Sequence, residues 1–282
     1  MLVTEQECEI PVWLTCIIAV VSWLLLCGCQ SQTNPAKSPR EQFNPESKSL
    51  LTIHSDEILT KWRQLATWVN VQHDPVYECP KRFLAIPIAQ LLVKVGYATT
   101  NFELHVRCED GFFAMLSSTE ALDGTGFLAI ADEAFPTGSG FSPLKTKSGV
   151  VDPGPVYLFW LNDSGARPWP YQIKEIEIFC GNEALARARP STSKQAQRGF
   201  ELFKKSCSAC HSVNGAGGRV GVDLNIPMNV TEYWSKPVLR RLLDDPQLVR
   251  VNAKMPALHF SSQQVDDILA YLVDMRARKM MK

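Results

Sequence analysis

Residues 207–211 read Cys-Ser-Ala-Cys-His, and no other stretch narrows what this chain can fold into so far. Two thiols one helical turn apart, with an imidazole next in line, have three common chemical uses. A structural zinc site needs a second Cys or His pair at ligand spacing. The only later histidine is His259, and no cysteine follows Cys210. A thioredoxin-like dithiol needs a strand–helix–strand setting, whereas here the pair closes an amphipathic helix, Gln195–Lys205, with Gly199 and Phe203 inward. The third use is covalent haem attachment, in which each thiol takes one vinyl group of a porphyrin and the next residue offers its imidazole to the iron. The pattern points to one haem c held by Cys207 and Cys210, with His211 as an axial ligand.

An iron with His on one face commonly takes Met on the other. Lys254-Met255-Pro256 lies 44 residues beyond His211, past a loop and a helix. Pro256 holds that strap extended, because it lacks an N–H and restricts the residue before it. Met228, in Asn-Ile-Pro-Met-Asn, is the competing thioether, and His259 is a third candidate; Met255 is preferred. With both axial positions filled by protein, the iron has no open site. That favours electron transfer over substrate turnover.

The surrounding segments have helical signatures. Ser235 stands at a cap with Pro237 in the first turn. Ser261 and Gln264 form a capping box, and Gln263–Arg278 lays Val265, Ile268, Leu269, Leu272 and Met275 along one stripe. Together these features make residues 195–282 resemble a class I cytochrome c domain. They comprise a Gly-x-x-x-Phe first helix, the Cys-x-x-Cys-His stretch, a glycine-rich loop, a Met-Pro strap and a last helix carrying Tyr271-Leu272. The resemblance implies that Gly199 and Tyr271 meet where the first and last helices cross. The family often reads Gly-Pro-x-Leu after the haem site, and the Pro carbonyl accepts the proximal His N–H. Here the stretch is Gly221-Val222-Asp223-Leu224, so the backbone carbonyl of Val222 stands in that place.

Residues 50–185 read as a β-dominated α+β domain, joined to the haem segment by a Pro- and Ser-containing hinge over 186–194. A helix is expected over Asp56–Val69, with Ile58, Leu59, Trp62, Leu65 and Ala66 on one face. FELHVRCEDGFFAML reads as two strands joined at Glu109-Asp110-Gly111. The succession FLAIPIAQLL, CEDGFFAML, FLAIADEA, GPVYLFW and PWPYQIKEIEI resembles the molybdopterin-binding domain of the sulfite oxidase family over about 120 residues. The domain has about half the length those enzymes use to enclose the pterin. Cys79 is the one cysteine near the place of the family's molybdenum thiolate, in surroundings that match poorly; a structural Cys79 is the alternative, and molybdenum is not expected. Two of Cys79, Cys108 and Cys180 are candidates for a disulfide in an oxidising compartment. The isolated His54, His73 and His105 read as surface or hydrogen-bonded residues, and Trp160 and Trp169 as core beside Tyr157, Phe159 and Tyr171.

The first 29 residues include an uncharged apolar run from Ile10 to Cys29. Leu26-Cys27-Gly28-Cys29 resembles the bacterial lipobox, which makes Cys29 the lipidated residue and 30–49 a polar tether. The flanks disagree: Glu5, Glu7 and Glu9 precede the run, while Lys37 and Arg40 follow it, so a retained membrane helix also stands. Covalent haem attachment takes place outside the cytoplasm, which points to a periplasmic location. From Pro190 onward there are 14 Lys/Arg against 8 Asp/Glu, so this part carries about +6 and the rest about −6. The basic part, with Lys204, Lys205, Arg219 and Lys254 around the haem segment, suits an acidic redox partner; nothing suggests nucleic acid. The expectation is an α+β chain, β-rich and then all-α, acting as a membrane-tethered monohaem electron carrier whose middle domain docks a redox partner. A molybdenum oxidoreductase with its own haem, and a haem sensor or assembly factor, are the alternatives.

Overall fold

The computed structural model describes residues 49–99, 101–135, 137, 140–146, 149–163, 167–180 and 185–280. The expectations for Cys29, the apolar run and the tether up to residue 48 lie outside them. Among the described residues, no helix is long and apolar enough to cross a membrane.

The first half runs β1 (Leu51–His54), α1 (Ser55–Thr60), β2 (Thr67–Asp74), β3 (Cys79–Pro87), α2 (Ile88–Lys94), β4 (Phe102–Cys108), β5 (Phe113–Ser117) and α3 (Ser118–Leu122). It continues with β6 (Gly126–Asp132), β7 (Leu144–Thr146), β8 (Gly149–Val151), β9 (Tyr157–Trp160) and β10 (Ile173–Cys180). Two four-stranded antiparallel sheets, ordered β1-β10-β4-β5 and β2-β3-β6-β9, feed one core. Ile53, Leu104, Leu116 and Ile178 enter it from the first sheet, and Phe83, Ala85, Leu128 and Tyr157 from the second. Trp160 and Trp169 fill it beside Phe159, as their spacing suggested. Its two buried carboxylates are both satisfied. Tyr157 Oη donates to Asp74 at 2.9 Å, and Lys81 Nζ to Asp132 at 2.7 Å. Burial pushes the Asp132 carboxyl up, but the hydrogen bonds from Lys81 and Ser142 outweigh it and hold the group below its ordinary range.

Three expectations need correction here. The helix foreseen over Asp56–Val69 ends at Thr60, and Thr67–Val69 begin β2. Pairing of Thr67 with Ala85 and Val69 with Phe83 places β-branched residues in a ladder, and that long-range gain overrides a helical spacing. No two of Cys79, Cys108 and Cys180 pair: Cys79 and Cys108 are free thiols while Cys180 is disulfide-bonded. His105 is neither on the surface nor hydrogen-bonded; it is buried with both ring nitrogens unpartnered.

The second half comprises α4 (Lys194–Ser206), a two-residue ladder of β11 (Ser212–Val213) and β12 (Ala216–Gly217), α5 (Val230–Tyr233), α6 (Lys236–Asp244) and α7 (Ser262–Arg276). This region is helical apart from that ladder, so the all-α description holds only coarsely. The structure has a β-rich first part and a helical last part, and the described residues all belong to one compact unit. Ser261 and Gln264 make the expected capping box on α7. Ser235 sits at the cap of α6 without a side-chain hydrogen bond.

The stripe of Val265, Ile268, Leu269, Leu272 and Met275 is buried in a second core with Phe203 and Cys207. The segment expected to be a hinge is instead strapped to α7. Tyr271 Oη donates to the Ala188 carbonyl at 2.8 Å, and the Ser191 N–H to Asp274 Oδ2 at 2.8 Å. Helices α4 and α7 cross at Gly199, where an added Cβ falls 2.0 Å from the Asp267 carbonyl oxygen and 2.7 Å from Tyr271 Cβ. Arg198 clasps the Asp267 carboxylate on the same crossing at 2.8 and 2.9 Å.

Alanine is the better helix former by about 1 kcal/mol. Gly199→Ala nevertheless lowers stability, by about 1–3 kcal/mol, because the crossing has no room for a methyl group. Urea unfolding of the purified protein checks the sign.

Candidate functional site

Helix α4 is capped by Ser193, whose Oγ accepts from the Ala196 N–H at 3.4 Å, and it closes on Cys207, whose N–H donates to the Phe203 carbonyl. The chain then turns tightly. The N–H groups of Cys210 and His211 both donate to the Cys207 carbonyl, at 3.1 and 2.8 Å. Cys207, Cys210 and His211 are thereby held on a single turn.

The chain next reverses through Asn214 (φ 55°) and Gly215 (φ 79°), the Asn-Gly pair of a tight hairpin. It returns hard against the turn it has just made. Gly218 N–H donates to the Ser208 carbonyl at 2.8 Å, and Gly221 N–H to the Cys210 carbonyl at 2.7 Å. Such close approach excludes side chains. A Cβ on Gly218 falls 2.2 Å from the Ala209 carbonyl oxygen, and one on Gly221 lies 2.3–2.8 Å from three atoms of the His211 ring.

This packing delivers the Val222 carbonyl to His211 Nδ1 at 2.8 Å. A carbonyl can only accept, so Nδ1 carries the proton and Nε2 is left with its lone pair for a metal. The backbone of Val222 thus does the work that the resemblance assigned to a proline carbonyl.

Sequence reasoning missed what holds this loop. Asp223 accepts from Ser212 Oγ at 2.8 Å and from the N–H groups of Gly215, Asn225 and Ile226 at 2.7, 2.8 and 3.0 Å. Behind it runs a buried amide chain. Asn229 Nδ2 donates to Asn225 Oδ1 at 2.7 Å and to the Leu272 carbonyl at 2.9 Å; Asn225 Nδ2 donates to Asn214 Oδ1 at 2.8 Å; and Asn214 Nδ2 donates to the carbonyls of Arg187 and Arg278 at 2.8 and 2.9 Å. The signal available was three asparagines among turn-forming residues, which marks loops without saying that they meet.

Cys207 is buried and Cys210 half-buried, and both are free. Burial, and then the neighbouring Cys210, pushes the Cys207 thiol up to about 12. Burial, and then Asp110, raises that of Cys210. Both therefore stand as reduced S–H groups at neutral pH, the form that adds across a vinyl group. Met255 is half-buried and packs against the core that contains Cys207, whereas Met228 is 52% exposed and His259 is exposed.

Six large apolar side chains between His211 and Met255 are also exposed: Val220, Val222, Met228, Tyr233, Leu248 and Val251. So many exposed apolar side chains within one stretch of chain leave apolar surface available to a large apolar ligand. Of the basic residues around the segment, Lys205, Arg219 and Lys254 are exposed, and Lys204 pairs with Glu201 at 2.7 Å. The donor set, the glycine cradle around His211 and this apolar surface fit covalent haem c.

The β-rich part also reaches this site. The Phe113 N–H donates to the Ala209 carbonyl at 3.0 Å, and the Arg219 N–H to the Gly111 carbonyl at 2.8 Å.

Among known families, the cytochrome c model matches residues 196–276, which span the attachment turn, the loop that returns to it, Met255, helix α7 and all but the first two residues of α4. No curated protein and no solved structure matches the chain.

Gly221→Ala displaces the His211 ring from the Val222 carbonyl and converts part of the ferric haem from low spin to high spin. Gly215→Ala, where an added Cβ meets nothing within 4 Å, strains only its left-handed backbone (φ 79°) and lowers stability by about 1 kcal/mol with the spectrum unchanged. Electronic absorption of the two holoproteins separates the effects.

Proposed function

We propose, from a cytochrome c domain over residues 196–276 with covalently bound haem c as the premise, that this chain is a membrane-tethered electron carrier on the periplasmic face of a bacterial membrane. One observation carries the reading: His211 is tautomerically fixed by Val222 on the same turn as two reduced cysteines. When bound, haem c supplies an iron that cycles between ferric and ferrous states by gaining or losing one electron.

Cys207 and Cys210 would hold the porphyrin through thioethers, and His211 Nε2 would ligate the iron. Met255 would be its second protein ligand. Its support is that it is half-buried against the core that contains Cys207, on a strap with no regular secondary structure, while Met228 is exposed. A neutral thioether and an apolar surround favour the ferrous state, which raises the potential. With His211 and Met255 both on the iron, no coordination site would be left for a substrate, and the group would supply electron exchange alone. Exposed Lys205, Arg219 and Lys254 then favour an acidic partner, through steering that weakens with salt.

Attachment of the tether through Cys29, or through a retained apolar helix, keeps the carrier at the membrane. The β-rich part, in this reading, serves docking rather than catalysis. Cys79, at the place of the molybdenum thiolate in the sulfite oxidase resemblance, is exposed at the first position of β3. An exposed thiol is poorly placed to anchor a buried metal–pterin group. Metal analysis of the holoprotein tests this: iron without molybdenum supports the carrier, and stoichiometric molybdenum overturns it.

Met255→Ala abolishes the sulfur-to-iron charge-transfer band at the red edge of the ferric spectrum and lets the ferrous protein bind carbon monoxide at neutral pH. Met228→Ala keeps the band and excludes the gas. The reverse pattern assigns the ligand to Met228.

A further inference from the structure

The outer face of the β1-β10-β4-β5 sheet is not left to solvent. Along β4, Leu104 and Val106 enter the β-rich core, so Glu103, His105 and Arg107 take the opposite face. There His105 lies between the rings of Phe113 and Phe179, with centroids 4.5 and 4.6 Å away. Met115, opposite His105 in the β4–β5 register, packs against the core that contains Cys207. The sheet face and the helical part are thus one packed surface, and the β4–β5 turn continues it onto the haem-attachment loop.

That turn meets the loop backbone to backbone. Ala209, which accepts from Phe113, sits between the two cysteines, and Arg219, which donates to Gly111, lies two residues before the glycine under the His211 ring. Gly111 has φ 89°, and a Cβ there would lie 3.0 Å from the Arg219 carbonyl carbon, so the approach depends on glycine. Asp110 is fixed in the same turn, because its Oδ1 accepts from the Phe112 N–H at 2.8 Å. It directly precedes Gly111, whose carbonyl accepts from the Arg219 N–H, so the carboxylate stands where the turn meets the attachment loop.

We propose that the β4–β5 hairpin is a working part of the haem site, clamping the attachment loop from outside and placing the Asp110 carboxylate where it lowers the midpoint potential of the iron. This rests on the electron-carrier reading above. Reduction takes one electron from a donor and removes one positive charge from the iron centre. A nearby carboxylate stabilises the ferric state more than the ferrous state, and so opposes reduction. Because Asp110 is exposed, salt screens the effect. The clamp acts separately, by removing the freedom of the Ala209 peptide and with it the play of Cys207 and Cys210 on either side.

The test uses full-length holoprotein. Spectroelectrochemical titration at low and high salt compares wild type, Asp110→Asn and Glu78→Gln, the last removing an exposed carboxylate in the β2–β3 turn. Asp110→Asn titrates at higher potential than wild type, with a smaller shift at high salt, and Glu78→Gln titrates with wild type. An unmoved potential for Asp110→Asn at low salt, or an equal shift for Glu78→Gln, overturns the role of Asp110. Hydrogen exchange on wild type tests the clamp without any mutation: the Phe113 and Arg219 amides exchange as slowly as those inside β4. Exchange at the rate of open loops overturns it. A wild-type protein without a c-type spectrum would defeat the carrier reading itself, whereas a normal spectrum with an unmoved potential defeats only this proposal.

Discussion

The hydrogen bond from His211 Nδ1 to the Val222 carbonyl is the contact around which the site is organised. It fixes a tautomer, and it also fixes where the chain must go. For a carbonyl eleven residues on to reach the ring, the backbone has to fold back against its own turn, and every point of closest approach must lack a side chain. Gly217, Gly218 and Gly221 are those points, each with an added Cβ falling within 2.4 Å of an atom of the loop it covers. The glycine-rich stretch is therefore the consequence of presenting one nitrogen to a metal. A loop so poor in side chains has little to hold it, and Asp223 with the Asn214–Asn225–Asn229 chain supplies the missing hold. Those amides are buried and hydrogen-bonded to one another, the condition under which buried polar groups specify one arrangement rather than destabilise it.

The frame around this loop is set from two sides. On one side, the crossing of α4 and α7 at Gly199 determines where Cys207 emerges, and Tyr271 ties that crossing to the strap at Ala188. On the other side, the β-rich part contributes Met115 to the core that contains Cys207 and grips the attachment loop through backbone hydrogen bonds. The two halves of the chain have separate hydrophobic cores, but they do not behave as beads on a string. Residues 186–194, which a composition reading makes a hinge, are pinned to α7 and shorten the link between them.

Much of the helical part was legible in the sequence because its signals are local. The Cys-x-x-Cys-His turn, the Ser261–Gln264 capping box and the stripe on α7 each lie within a few turns of chain. The Val222 carbonyl was legible because a backbone group needs no particular side chain. The hairpin turn at Glu109–Gly111 was visible because its signal is local, an Asp-Gly pair. What was not legible is long-range. The helix over 56–69 was overextended because the pairing of β2 with β3 has no trace in the local spacing. The unpartnered state of His105, the amide chain and the seat of the hairpin on Ala209 all depend on segments distant in sequence. Two backbones that hydrogen-bond across such a distance leave at most a glycine as a mark, and Gly111 alone cannot say what it approaches.

The central claim is that both thiols of the attachment turn carry one porphyrin. Intact mass of the matured full-length protein, before and after alkylation of accessible thiols under denaturing conditions, tests it most directly. The account predicts one haem added per chain, with Cys207 and Cys210 both resistant to the alkylating reagent. A chain without added haem, with both residues alkylated, contradicts it.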